Sequence, residues 1–412
     1  MRVEVINTGT ELLLGNVINT HVAYFGQQLF KLGLRIDRQI CIPDGDAIRE
    51  AMKETFGRCE ILLVTGGLGP TTDDITREIV AEMLGRELHF DDSILEGMRE
   101  RLQKRSIPVQ ERMKRQAMVP EGAKVLVNDH GTAPGLYFPS DSPDVPHIFL
   151  LPGPPRELKP MFENKLLPIV KTLRPANMPK LECRIYRAVG MGESIVEQRI
   201  GLQLTEIPGL EVGYCARPNE VDLRLIGPSA LLDAHEPTVI AALGENLASR
   251  EEETLEQVVV TKLIAAGKTL ATAESCTGGL LANRITNVPG ASAVFSEGYV
   301  TYANDAKMRL LGVPEGILKA HGAVSEETAK AMAEGARRSA GTQFALATTG
   351  IAGPAGGTPE KPVGTVFVGL VEEGKEPEAH KFYFPLDRET FKWVATQSAL
   401  DLLRKRLNSL GK

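Results

Sequence analysis

Short apolar runs that stop at loops of glycine, threonine and aspartate, then pass into amphipathic stretches, recur along this chain. Val3–Asn7, Ile61–Thr65 and His147–Leu151 read as buried strands, with helical patterns at Asn19–Leu32, Thr72–Leu84 and Arg156–Leu167. Strand–loop–helix repetition of this kind predicts an α/β fold with a doubly wound, largely parallel sheet. Such sheets bind ligands beyond the carboxyl ends of their strands. The unusual loops of this sequence fall at those ends.

A chain of 412 residues is long enough for two or three domains. The first domain is expected over residues 1–173. Arg174–Lys180, with two prolines and little to bury, reads as a linker. A smaller α+β module is expected over 177–250. It has a strand at Arg184–Val189, a helix at Ser194–Leu204, a hairpin of Glu211–Ala216 and Asp222–Ile226 turning at Arg217–Val221, and a closing helix at Pro237–Ala248. A third segment, 254–409, returns to alternation, with strands at Lys268–Ala273, Ala293–Tyr302, Gln343–Thr348 and Thr365–Val371. The glutamate run before it, in Ser249–Thr254, reads as a solvated helix start.

A net charge of −6 argues against a general nucleic-acid binder, which would show a basic face. The five cysteines contain no C-x-x-C pair, so neither a disulfide framework nor a zinc site is expected. The start lacks the apolar core of a signal peptide, and no apolar stretch approaches the roughly 18 residues that span a membrane. A cytoplasmic protein without membrane or nucleic-acid partners is the expectation.

The sharpest chemistry lies in T-A-E-S-C-T-G-G, Thr272–Gly279, where a strand breaks and a helix begins with Leu280. A serine there sits beside helix-start amides that can hold an oxyanion. The plainer alternative makes Ser275 or Thr277 an N-cap. In V-T-Y-A-N-D-A-K, Val300–Lys307, Asn304 reads as an N-cap, so Lys307 falls in the first helical turn. A cation at that end of the dipole is badly placed for stability, and burial with the dipole lowers its pKa. No Ser–His–Asp pattern occurs, and His321 and His380 read as structural. A neutral lysine is the remaining base for a serine. Tyr302 can relay a proton or orient the pair, or simply pack. A-T-T-G-I-A-G-P-A-G-G, Ala347–Gly357, supplies a glycine-dense loop, and Arg388 follows the cap Asp387. That arginine can clamp a phosphate or stand in solvent.

Three more loops follow strands in the first segment: N-T-G-T-E-L-L-L-G (Asn7–Gly15), T-G-G-L-G-P-T-T-D-D (Thr65–Asp74) and L-P-G-P-P-R-E-L (Leu151–Leu158). Gly66, Gly67 and Gly69 permit close backbone approach to an anion. Asp73 and Asp74, helped by Asp44 in I-P-D-G-D, can hold a hard cation such as magnesium. Thr10, Glu11 and Arg156 are the polar side chains of these loops taken as ligand-binding. Thr71–Asp74 are equally ordinary helix-start residues.

T-A-E-S-C-T-G-G, G-Y-V-T-Y-A-N-D-A-K, H-G-A-V-S and G-I-A-G-P-A-G-G followed by K-P-V-G-T-V together resemble the C-terminal domain of the CinA family, over about 254–409. That resemblance implies a nicotinamide-mononucleotide deamidase needing no metal. Ser275 would be the nucleophile, Lys307 its base and Tyr302 an assisting hydroxyl. Thr277, Gly278, Thr349, Gly350 and Gly353 would line the amide site, with Arg388 near the phosphate. The first segment resembles the molybdopterin-binding fold found at the N-terminus of full-length members of the family. It implies hydrolysis of ADP-ribose to AMP and ribose 5-phosphate with a divalent cation. The middle segment is similar to a KH-type module, without an evident G-x-x-G clamp. The family also implies a homodimer. Two alternatives stand beside this: a non-catalytic nucleotide- or pterin-binding N-terminal module that regulates the amidase, and a competence accessory acting by interaction.

Overall fold

Val3–Thr8 and Ile61–Thr65 are buried at every position, the burial of strands covered on both faces. They belong to a computed structural model that describes residues 1–410 apart from 105, 107, 109 and 179. Pro179, within the segment read as a linker, therefore lies outside the described residues. The chain divides into two compact units, Met1–Lys180 and Leu181–Lys412.

In the first unit six strands run across one sheet in the order Ile36–Ile42, Val3–Thr8, Ile61–Thr65, His147–Leu151, Gly135–Phe138 and Lys124–Leu126. The first four are mutually parallel; the last two pair antiparallel. Alternate residues face opposite sides of a strand. Val3, Val5, Ile61, Leu63, Phe149 and Leu151 accordingly pack with Phe25, Leu29, Leu158 and Phe162 on one side. Ile6, Leu62, Val64, Ile148 and Leu150 pack with Ile48, Met52, Ile79 and Val80 on the other. Helices thus cover both faces.

Some boundaries moved. The helix expected from Thr72 begins at Thr76, because Asp74 accepts from the Thr71 amide at 3.0 Å and holds Thr71–Asp74 as a loop. The helix at Pro155–Met161 continues through one wide turn, Phe162–Leu166, into Leu167–Leu173. Pro168 has no N–H to donate back into the regular ladder, which accounts for the irregular turn.

In the second unit an antiparallel sheet runs Glu211–Arg217, Glu220–Gly227, Glu182–Val189, Leu247–Ser249. Its hairpin turns in just Pro218 and Asn219, tighter than expected, with Asn219 at φ 63° as a two-residue turn demands. The closing helix is Ser229–Leu243 rather than Pro237–Ala248. It starts behind Pro228, tolerates Pro237 inside, and stops at Gly244 (φ 52°). The residues beyond become the fourth strand.

The second sheet of this unit runs Phe295–Val300, Leu270–Glu274, Phe344–Gly350, Thr365–Glu372, Glu378–Tyr383. Its first three strands are parallel and its last two antiparallel. One face carries Leu270, Phe344, Leu346 and Val368 against Leu255, Leu281, Leu400 and Leu403. The other carries Ala271, Ala273, Ala345 and Ala347 against Met332, Ala333 and Ala336. Thr254 and Gln257 form a capping box at the helix Leu255–Ala266, so Glu251–Glu253 precede that helix instead of starting it. No helix among the described residues is long and apolar enough to cross a membrane.

Candidate active sites

Register builds the C-terminal site. Glu274 pairs with Val300 on one side and Thr348 on the other, so the parallel pairing of the three strands ends level, although Phe344–Gly350 runs on for two residues beside Thr365–Glu372. The residues that follow, Ser275, Thr301–Tyr302 and Thr349–Gly350, therefore emerge together at the carboxyl edge.

Ser275 and Lys307 meet there. The Lys307 Nζ lies 3.1 Å from the Ser275 Oγ, although 32 positions separate the two residues. Nζ also donates to the main-chain carbonyls of Thr301 at 2.8 Å and Tyr302 at 3.3 Å. Lys307 is 1% exposed and forms no salt bridge with a carboxylate among the described residues, and burial pushes its pKa down from the ordinary lysine value. A neutral amine has two hydrogens and one lone pair. As an ammonium Lys307 donates to all three oxygens; once deprotonated, with the two carbonyls keeping its hydrogens, it has its lone pair left for the Ser275 hydroxyl. Lys307 lies in the first turn of the helix Asn304–Leu311, whose N-cap is Ala303, one residue before the expected Asn304. The neighbouring Cys276 is also buried, and burial pushes its thiol up to about 12. It is a protonated thiol at neutral pH and no competitor to the serine as nucleophile.

Glu274 had no part in the sequence expectation, yet it shapes the serine loop. Its fully buried carboxylate accepts from the amides of Gly279 (3.0 Å), Leu281 (3.0 Å) and Ala282 (2.8 Å), and from the Thr277 hydroxyl (2.7 Å). It does for the helix Leu280–Thr286 what a capping side chain does, from the preceding strand. Since Thr277 gives its only hydroxyl hydrogen to Glu274, the Thr348 hydroxyl donates to Thr277 at 2.6 Å. Ser275 and Thr277 are thus not the N-cap, which is Gly279 at φ 96°. Thr277 is turned inward, away from the cleft. Gly278 closes the turn by donating to the Ser275 carbonyl at 3.2 Å.

The cleft over Ser275 has a volume of about 210 Å³ and is lined by Ser275, Cys276, Tyr302, Lys307, Ala323, Val324, Thr349, Gly350, Ala352 and Arg388. Arg388 donates to the Gly353 carbonyl at 2.9 Å and to the Tyr302 hydroxyl at 3.0 Å. The Tyr302 ring is 63% exposed, and its carbonyl rather than its hydroxyl meets Lys307. Asp387 caps the helix Arg388–Leu410 by accepting from the amides of Glu389 and Thr390, both at 3.0 Å. Thr349 donates to the Ala323 carbonyl at 2.6 Å, tying the H-G-A-V-S loop to the site. Gly353 contributes its carbonyl without lining the cleft. His321 and His380 are not among its lining residues, and each lies beside a glutamate.

The N-terminal loops converge on a larger cleft, about 400 Å³, whose lining includes Glu11, Asp44, Gly66, Gly67, Gly69, Asp73 and Asp74. Thr10 stands behind it, donating from its amide to Asp44 at 3.1 Å, and Arg156 is exposed beside Glu157. Neither lines the cleft. The glycines are also required by the chain's own packing. A Cβ on Gly66 (φ 96°) would lie 2.5 Å from the Thr8 Oγ1, and one on Gly67 (φ 65°) 1.9 Å from the Thr76 Oγ1. The chain's own side chains occupy the space beside them.

Asp73 is exposed. Asp74 accepts from the amide and hydroxyl of Thr71, while Arg115 donates to the Thr71 carbonyl at 3.0 Å and steadies that loop. The lining holds five acids, Glu11, Asp44, Asp73, Asp74 and Glu157, and no lysine or arginine. Among the described residues no group of three or more His, Cys, Asp or Glu side chains is arranged to hold a metal. The donor set therefore fits only a cation held by one or two carboxylates and completed by other oxygens, the manner usual for magnesium. Glu157 and Gln116, also in this lining, carried no local sequence signal. Glu157 accepts from Asn128 at 2.8 Å.

Two family models match the chain: the CinA C-terminal domain over residues 252–407, and one described as "Probable molybdopterin binding domain" over 4–172. A CinA-like protein of Akkermansia muciniphila is 48% identical over 400 residues, covering 97% of this chain and 96% of that protein. A CinA-like protein of Kosmotoga olearia is 40% identical over 415 residues, covering 99% of each. A crystal structure of the competence/damage inducible protein CihA from Agrobacterium tumefaciens matches 37% of this chain and 93% of its own, at 42% identity and a TM-score of 0.36.

Proposed function

The chain belongs to the CinA family, and from that premise we propose that its C-terminal site hydrolyses the carboxamide of nicotinamide mononucleotide. The observation that carries this reading is the buried Lys307 Nζ 3.1 Å from the Ser275 Oγ, with the Thr301 and Tyr302 carbonyls as its other partners. Ser275 Oγ attacks the carboxamide carbon as its proton passes to Lys307 Nζ. The Cys276 and Thr277 amides, not used to close the 275–278 turn, are the donors proposed for the oxyanion. The carbon–nitrogen bond breaks, Lys307 returns the proton to the leaving nitrogen, and ammonia departs. Water, deprotonated by Lys307, then attacks the acyl ester; nicotinate mononucleotide leaves and Ser275 regains its proton. Arg388 and Tyr302 bind the substrate phosphate and ribose.

For the N-terminal cleft the reading is hydrolysis of ADP-ribose to AMP and ribose 5-phosphate. Five lining acids without a basic residue repel a diphosphate, so a divalent cation between them is what this lining calls for. One or two of Asp44, Asp73 and Asp74 would hold it, with other oxygens completing its shell, and when bound it would neutralise phosphate charge. The chain's own groups orient the ligand from Glu11 and the Gly66–Gly69 loop. A second reading, a nucleotide- or pterin-binding module without catalysis, is favoured by the lack of a three-ligand group among the described residues. The purified protein assayed with nicotinamide mononucleotide and with ADP-ribose, each with and without chelator, tests both. Ammonia indifferent to chelator and AMP dependent on metal is expected. No ammonia from nicotinamide mononucleotide refutes the first reading, and no AMP under any metal leaves only the binding module.

A further inference from the structure

The N-terminal cleft holds two buried polar groups that the chain's own hydrogen bonds leave unanswered. Gln116, in the short turn Glu111–Ala117, lines this cleft and is 1% exposed. Its Nε2 donates to the Leu68 carbonyl at 3.3 Å. That carbonyl only accepts, so it fixes which end of the amide faces it, and the amide oxygen must lie on the other side. Oε1 is buried there without a hydrogen-bond partner in the protein. Thr8, 6% exposed at the carboxyl end of its strand, lines the same cleft with an equally unpartnered Oγ1. A buried acceptor left unmade is costly, and native proteins rarely keep one without use.

We propose that Gln116 and Thr8 are the base-reading end of this cleft, and that its ligand presents an amino group there, as the six-position of adenine does. The proposal rests on the nucleotide reading of the N-terminal cleft, though not on its catalysis. Gln116 Oε1 accepts from the amino group, while the second hydrogen of Nε2 is free to donate to the adjacent ring nitrogen. An amide and an adenine edge match in this two-bond manner. A hypoxanthine base, with a carbonyl in place of the amino group, sets one acceptor against another. Thr8, able to donate or accept, takes a second polar atom of the same ligand.

Calorimetric titration of the full chain with AMP and with IMP, magnesium present, tests this. AMP should bind at least about tenfold more tightly than IMP, and Gln116→Leu should bring the two affinities together. Equal affinities in the wild-type chain, binding of neither nucleotide, or a preference that survives Gln116→Leu would each overturn it. The wild-type comparison decides even where the variant folds poorly. Release of AMP from ADP-ribose, measured on the same preparation, keeps the two claims apart. Hydrolysis without AMP preference defeats this inference and spares the proposed function; AMP preference without hydrolysis does the reverse.

Discussion

The two clefts are opposites in charge. Among the described residues, the one over Ser275 is lined by Lys307 and Arg388 and by no acid, while the one beside Gly66 is lined by five acids and no base. In the first a buried lysine amine faces the nucleophile. Under the proposed readings it would meet an anionic nucleotide directly, whereas the second would need a cation between its acids and a diphosphate. The lesson is that the fold alone can desolvate a base, whereas acids gathered in one cleft leave charge for a ligand to balance.

The sharpest way to break that comparison is Ser275→Ala. It should lower ammonia release from nicotinamide mononucleotide by at least about a thousandfold and leave ADP-ribose cleavage alone. Retained deamidation would remove Ser275 from the mechanism.

Lys307→Met comes next, with a loss of about 10²–10⁴ in deamidation. In the wild-type chain kcat/KM should rise with pH across the lowered lysine pKa and then level, as the amine loses its proton. The folded chain binds that proton less tightly than the unfolded chain. Stability therefore gains as pH climbs from the lowered value towards the ordinary one. The variant should lose both dependences without a lower melting temperature; a large drop in melting temperature would point to a structural lysine.

Chelation sharpens the contrast. It should cut ADP-ribose cleavage by about a hundredfold and change deamidation less than twofold. A chelator-sensitive deamidation would dissolve the distinction between the clefts.

Smallest is Glu274→Ala, which strands three amides, that of Leu281 buried and those of Gly279 and Ala282 partly so, at the start of Leu280–Thr286. A loss of about 2–4 kcal/mol in urea unfolding is expected. A neutral result would mean those amides find other partners.

Much of this was legible before any coordinates. The buried strands showed as continuous apolar runs, and the serine and the misplaced lysine stood out at helix starts. What could not be read was reach. Glu274 looks like one residue of a strand, although a carboxylate closing an apolar strand just before a helix was the available hint. Tyr302 contributes through its carbonyl, which no side-chain motif encodes. The glycines of the Gly66–Gly69 loop suggested an approaching anion, but not that the space beside them also holds Thr8 and Thr76. The helix Ser229–Leu243 was misjudged because Pro237 reads as a start when only local rules apply.

Local chemistry along the chain determined the layered α/β architecture, the loops that would carry function and the residue types able to act there. Hydrophobic periodicity, capping and turn preferences act over a few residues, so they survive in one dimension. Only the folded chain decided that Lys307 would face Ser275, that Glu274 would hold the serine loop, and that Gln116 would join the lining of the acidic cleft with its amide oxygen unanswered. Those outcomes depend on strand register and on desolvation, which arise when distant segments pack and water is excluded.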